Sequence, residues 1–142
     1  MNLALDNAEE TKKLRLELRL KQLEKVEACH QEFLPFVRSM WPGFIAGRHH
    51  HIISEKLEQI ANGKLKRLII NMPPRHTKSE FASYLFPAWM IGRKPDMKII
   101  QATHTTELAV NFGRKVKNLL ETDDYQEIFE NTQLSQDSKA SG

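Results

Sequence analysis

Only one cysteine, Cys29, stands among the 142 residues. An internal disulfide is therefore excluded, and with no second cysteine nearby a zinc knuckle is excluded as well. No apolar run reaches the roughly 18 residues that a membrane span needs. The first residues, Met1-Asn2-Leu3-Ala4-Leu5-Asp6, put no basic segment ahead of an apolar one, so neither membrane insertion nor secretion is expected. Internal repeats and low-complexity stretches are missing too. What is present, 40% hydrophobic and 27% charged residues, is the composition of one soluble domain with a modest core. A reducing compartment is expected, with Cys29 packed as a small apolar side chain.

The formal net charge is only +3, but it is unevenly spread. Residues 1–32 carry 6 basic and 7 acidic side chains, residues 33–118 carry 14 and 5, and residues 119–142 carry 1 and 6. The middle is thus a +9 block between a near-neutral and an acidic end. Such a block suits phosphate-bearing partners, nucleotide or nucleic acid, and equally describes a solvated basic surface.

Proline and glycine are absent from Ala8 to Glu32, and Leu, Lys, Glu and Arg dominate, which predicts one long helix. Leu16, Leu20, Leu23 and Val26 follow helical spacing; the alternation Leu14, Leu16, Leu18, Leu20 would suit a strand, but the length decides for helix. Residues 1–32 are read as a helical arm, either touching a neighbouring subunit or packed on its own domain. Phe33-Leu34-Pro35-Phe36-Val37 and Trp41-Pro42-Gly43-Phe44 form an aromatic, proline-punctuated connection whose rings should be buried. His49-His50-His51 point in three directions whatever the backbone, and form no metal site without further ligands. Ile52 to Ala61 reads as a helix stopped near Asn62-Gly63.

The informative centre begins at Lys66. Arg67-Leu68-Ile69-Ile70-Asn71 is an apolar run of the kind a strand buried on both faces shows. Met72-Pro73-Pro74-Arg75-His76-Thr77 follows as a loop, and Lys78-Ser79 opens a helix through about Ile91, with Pro87 inside it to bend or end it. Lys98-Ile99-Ile100-Gln101-Ala102 reads as a second buried strand, after which Thr105 or Thr106 caps a helix to Leu120. The order strand, loop, helix, strand, helix predicts an α/β fold with a P-loop NTPase-type parallel sheet, of which the chain holds only the first strands. The segment from about residue 121 is acidic, then rich in Ser and Gln, and is expected to be surface or loosely ordered.

A strand-to-helix loop binds phosphate when consecutive amides curl around the anion with a helix dipole behind them, a lysine for charge and a hydroxyl for magnesium. Lys78 suits the β- and γ-phosphates, Ser79 suits Mg²⁺, and the amides from Arg75 to Ser79 can form the cradle. The usual Gly-x-x-x-x-Gly-Lys-Ser/Thr pattern would place glycines at 72 and 77, where this chain has Met72 and Thr77. Thr77 must therefore adopt another backbone conformation or carry strain. A plain turn, with Lys78 as an exposed charge and Ser79 as a helix cap, is the competing reading.

Gly63 to Glu80, with its Pro73-Pro74-Arg75-His76 element ahead of Lys78-Ser79, resembles the ATPase motif of the large terminase subunit of tailed bacteriophages. Gly47-Arg48-His49-His50-His51 resembles the stretch leading into that motif, and Ile99 to Ala109 the family's second strand and following loop. The likeness covers about residues 33–142. It implies an ATP-dependent motor that drives double-stranded DNA into a procapsid, working in the host cytoplasm and transiently at the portal. Its partners would be the portal protein and the small terminase subunit, and it would form a homo-oligomeric ring when complete. By that likeness Lys78 and Ser79 hold ATP and Mg²⁺, Arg75 lies near the γ-phosphate as a catalytic charge, and His76 and Thr77 belong to the binding loop. An exposed loop role remains open for Arg75 and is favoured for His76. The Thr103–Thr106 loop is a further candidate for ligand contact or for helix capping.

No later apolar strand ends in paired acids, and Asp123-Asp124 is preceded by polar residues. The family's second acidic ATPase motif and its nuclease are therefore not expected here. The chain reads as an N-terminal part that binds nucleotide without turning it over alone. The alternative is a small basic nucleic-acid-binding protein without enzymatic activity; a small-molecule P-loop kinase fits less well, since no acceptor site is recognisable.

Overall fold

The computed structural model describes residues 2–134, with side chains from residue 9 onward. Helix α1 spans Asn2–Gln31, α2 Phe33–Met40 and α3 Arg48–Ala61. A further helix opens at Lys78, passes through a π-helical segment at Glu80–Leu85 and continues as α4, Phe86–Arg93. Helices α5, Thr106–Leu120, and α6, Asp123–Ile128, complete the described chain. No described helix is long and apolar enough to cross a membrane.

The parallel sheet is not formed: the described residues contain helices and no strand. Strands persist through a hydrogen-bonded ladder to a neighbour, and neither apolar run has one. Leu68, Ile70 and Met72 pack against the helical core, while Ile69 between them is 90% exposed. This is extended chain with alternate residues covered, not a strand buried on both faces. The second run is barer still, with Ile100 96% exposed. A row of apolar letters reads the same in either case, which is why periodicity misled.

The core is an aromatic cluster. Phe33 and Phe36 of α2, Phe81 of the π-helical segment, Trp89 of α4 and Tyr125 of α6 are fully buried, with Leu85, Val37 and Cys29 among them. Phe33 sits at its hub, its ring 5.6 Å from Phe81, 5.6 Å from Phe86 and 5.3 Å from Trp89. Pro35 falls in the first turn of α2, where its missing N–H leaves no bond unmade.

Helix ends are satisfied across elements. The Trp89 indole N–H donates to the Cys29 carbonyl near the end of α1 at 2.7 Å. Glu58 of α3 accepts from the Phe33 amide at the start of α2 at 2.8 Å. Gln126 donates to the Leu120 carbonyl that ends α5 at 2.7 Å. Each bond gives a partner to one of the terminal groups that a helix leaves unpaired.

Pro87 neither ends the helix nor stands unanswered. The π-helical turns before it shift the bonding, so that the Phe86 amide reaches back to the Phe81 carbonyl. Pro87 has no N–H for the carbonyl four residues earlier, Ser83, and Gln101 donates to that carbonyl at 3.3 Å. The extended segment after α4 is thereby tied to the helix before it.

The acidic segment from residue 121 is not loose throughout. Thr122 caps α6, Tyr125, Ile128 and Phe129 are buried, and the Tyr125 hydroxyl donates to the Ala88 carbonyl at 2.8 Å. Burial pushes the phenol above its ordinary range, so it stays a donor. Residues 135–142 lie outside the described residues. At the other end of the chain, α1 joins the core through Cys29 and His30, while Leu14, Leu16, Leu18, Leu20 and Leu23 remain more than half exposed.

Candidate functional site

Residues Met72 to Glu80 curl around a concavity of about 550 Å³ and are its only lining among the described residues. All five residues singled out from the sequence, Arg75, His76, Thr77, Lys78 and Ser79, line it. Arg75 and Thr77 both hold left-handed backbone, with φ of 64° and 61°. Of the two alternatives for Thr77, the second holds: it takes the dihedral that glycine takes cheaply and a β-branched residue does not. Arg75 in the same region was not foreseen.

The Phe81 amide donates to the Thr77 carbonyl at 3.0 Å, so Thr77 occupies the N-cap position of the helix that follows. A threonine there normally turns its hydroxyl onto the amide two or three residues on. Here the hydroxyl faces the other way. It donates to the His76 carbonyl at 2.6 Å and accepts from His50 Nε2 at 2.7 Å. The amides of Lys78, Ser79 and Glu80 consequently have no acceptor among the described residues. Left-handed Thr77 followed by right-handed Lys78 and Ser79 is the backbone alternation that turns successive N–H groups to one side.

His50 is the residue missed from sequence. It sits at the third position of α3, and its Nδ1 accepts from the Gly47 amide at 2.9 Å, as a glutamate or glutamine would in a capping box. That acceptor role leaves the proton on Nε2, which makes His50 a neutral imidazole and the donor to Thr77. Its ring lies 4.8 Å from Phe44 and 5.0 Å from Phe81, with only 6% of its surface exposed. A histidine three residues after a helix-opening glycine was the available signal; in a row of three it was weighed for metal and as part of the resemblance, not as a partner of Thr77. His49 lies against His50 and 6.1 Å from His76, and His51 is exposed. Among the described residues no group of three His, Cys, Asp or Glu side chains could hold a metal ion.

The concavity is electropositive. Arg75 and Lys78 are exposed and form no ion pair among the described residues, whereas Glu80 is paired with Lys115 of α5 at 3.0 Å. His76 Nδ1 donates to the Pro74 carbonyl at 3.0 Å, which tightens the turn. The Thr103–Thr106 loop is employed in capping: Thr105 accepts from the Leu108 amide at 3.3 Å, and Thr103 donates to the Thr105 carbonyl at 2.6 Å.

Burial first, and then the charges of His49 and His51, hold the His50 imidazole below its ordinary value of 6.5. The sign follows. Above that value the imidazole is neutral folded and unfolded, and stability does not depend on it. Below it the unfolded chain binds the proton first, so stability falls until the folded imidazole protonates too. Glu58, whose carboxyl burial pushes up, acts in the opposite sense at lower pH. Urea midpoints from pH 8 to 5 should therefore drop more steeply below about 6.5 for the native chain than for His50→Gln; parallel profiles would contradict this.

Scans against family models, curated proteins and solved structures returned no match for this chain.

Proposed function

We propose that the loop from Asn71 to Ser79 binds the phosphates of ATP, and that the chain is the nucleotide-binding part of a DNA-packaging motor of the terminase large-subunit kind. The observation that carries the reading is the set of uncapped amides at Lys78, Ser79 and Glu80, opening with Arg75 and Lys78 onto one concavity. Helix-start amides without acceptors, backed by the helix dipole, favour an anion. The concavity is within the roughly 300–1,000 Å³ usual for small-molecule sites. Lys78 supplies the point charge, Arg75 a fork of donors, and the Ser79 hydroxyl an oxygen for Mg²⁺, which would offset phosphate charge. The reading rests on amides and side chains of the loop and requires no sheet.

The terminase resemblance of Gly63 to Glu80 and the +9 block of residues 33–118 support the motor assignment, with double-stranded DNA, portal and small subunit as partners in a ring. Glu80 is engaged by Lys115, so no carboxylate at the loop is free to orient a water. Binding without turnover is the expected behaviour of this chain alone.

Titration calorimetry with Mg-ATP should give saturable binding, and Lys78→Ala should weaken it about 10- to 100-fold, the worth of one hydrogen bond from a charged group. Equal binding by both proteins would sink the reading. Duplex DNA binding that falls steeply with salt, alongside no nucleotide binding, would instead favour the basic nucleic-acid-binding protein.

A further inference from the structure

The Thr77 hydroxyl has two available partners. Turned toward α3 it meets His50; turned toward its own helix it would cap the amides at residues 79 and 80, as N-cap threonines do. The two uses exclude each other, because each needs a different backbone state at Thr77: left-handed in the observed arrangement, extended in the capping one. An uncapped helix start and a left-handed threonine are both unfavourable locally. Something outside the loop must hold them, and His50 is the side chain that reaches in from another element.

We infer that His50 is the positioning residue of the anion loop, a latch that draws the Thr77 hydroxyl off the helix start and so keeps the amides of Lys78 to Glu80 open to phosphate. The inference rests on the phosphate-binding reading and adds how the loop is held competent. The latch is anchored at both ends. Gly47 N–H fixes the His50 ring from behind, Phe44 and Phe81 enclose it, and the His76 carbonyl takes the Thr77 proton so that the hydroxyl oxygen faces Nε2–H. Loss of the latch lets Thr77 relax to an extended N-cap whose hydroxyl occupies the cradle. Phosphate then competes with the protein's own cap. Glycine at position 77 has no hydroxyl to cap with and no left-handed penalty, so it makes the latch unnecessary.

The test is a double-mutant cycle on Mg-ATP and inorganic triphosphate binding by calorimetry, using the full chain. His50→Ala should weaken binding about tenfold, since a buried hydrogen bond and the left-handed preference together amount to between one and two factors of ten. Thr77→Gly should bind at least as tightly as the native chain. In the Thr77→Gly background, His50→Ala should change affinity less than twofold. An equal loss in both backgrounds, or no loss in either, overturns the latch. Because His50 is buried and its removal can loosen the core, Thr77→Val provides a second arm. It leaves His50 in place but removes the hydroxyl, and with it the competing cap, so it should weaken binding less than His50→Ala does; a loss as large as that of His50→Ala counts against the latch.

A ligand-free readout separates this inference from the reading beneath it. Nitrogen NMR of the native chain at pH 8 should show the His50 proton on Nε2, with the Nε2 resonance shifted in Thr77→Val and that of His76 unchanged. If neither ligand binds the native chain but this signature is present, the phosphate reading fails and the latch stands as a feature of the loop. If the His50 proton sits on Nδ1, or Thr77→Val leaves the resonance where it was, the latch is wrong whatever binds.

Discussion

Trp89→Ala is expected to cost about 3–5 kcal/mol, the range for deleting a buried aromatic side chain. Two losses add. The indole is fully buried against Phe33 and Phe86, and the Arg93 guanidinium lies 4.5 Å from its ring centroid. Its N–H is also the partner of the Cys29 carbonyl, one of the four that α1 leaves unpaired at its end. Trp89→Phe separates them: it keeps an aromatic ring and orphans the carbonyl, and should cost about 1–3 kcal/mol, with a share for the smaller ring. Against the total of about 5–15 kcal/mol usual for a domain, the alanine variant should lose a large share of the stability. Urea denaturation followed by far-ultraviolet circular dichroism measures both. A cost under about 1 kcal/mol for alanine would mean that Trp89 does not join α1 to the core, since that is below the usual cost of any large core truncation.

Gly92→Ala should destabilise by about 1–3 kcal/mol, the usual cost of overpacking, although alanine is the better helix former by about 1 kcal/mol. A Cβ on Gly92 would stand 2.4 Å from Cδ2 of Phe129 and 2.5 Å from its Cγ. The ring has little room to retreat, with His30 at 4.7 Å, Tyr125 at 5.1 Å and Phe36 at 5.8 Å around it. The glycine in α4 is thus explained by the residue that follows α6: it is the flat place on which Phe129 lies. Phe129→Ala, which removes the ring atoms that the added Cβ would meet, should recover part of the loss when combined with Gly92→Ala, although it is destabilising alone. Thermal unfolding of the four proteins measures the coupling. Additive effects would show that the close contact is not the cause.

Neither contact is legible in the chain, but much of the helical framework is. The long run from Ala8 to Glu32 without proline or glycine is helix because helix bonding is local, and the letters themselves carry the propensity. The stop at Asn62-Gly63 is legible for the same reason, Gly63 having φ of 73° after α3 ends, and so is Thr105 as the cap of α5. The parts of the loop proposed to bind phosphate were legible too, as a lysine, a serine and an arginine in the right order. Its backbone was not. Nothing in Pro73 to Ser79 says that Thr77 will be left-handed, because the group that holds it there is His50, 27 residues earlier.

The sheet failed for a related reason. Leu68-Ile69-Ile70 and Lys98-Ile99-Ile100 have strand composition, but a strand needs a second strand at hydrogen-bonding distance, and that is a property of neighbours. Helices instead cover one edge of the first run and tie down the second through Gln101. The acidic segment was underrated because composition cannot see that Tyr125 has the Ala88 carbonyl to bond and that Phe129 has Gly92 to lie on.

Helix positions, caps and the chemical inventory of the loop follow from residues within four or five places of one another, and the bare chain settles them. Which apolar faces meet, which helix ends are satisfied and how the Met72–Glu80 loop is held depend on pairs such as Trp89 with Cys29, 60 residues apart, and His50 with Thr77. Only packing brings such pairs within bonding distance, because the interactions that decide them do not exist until the chain has folded.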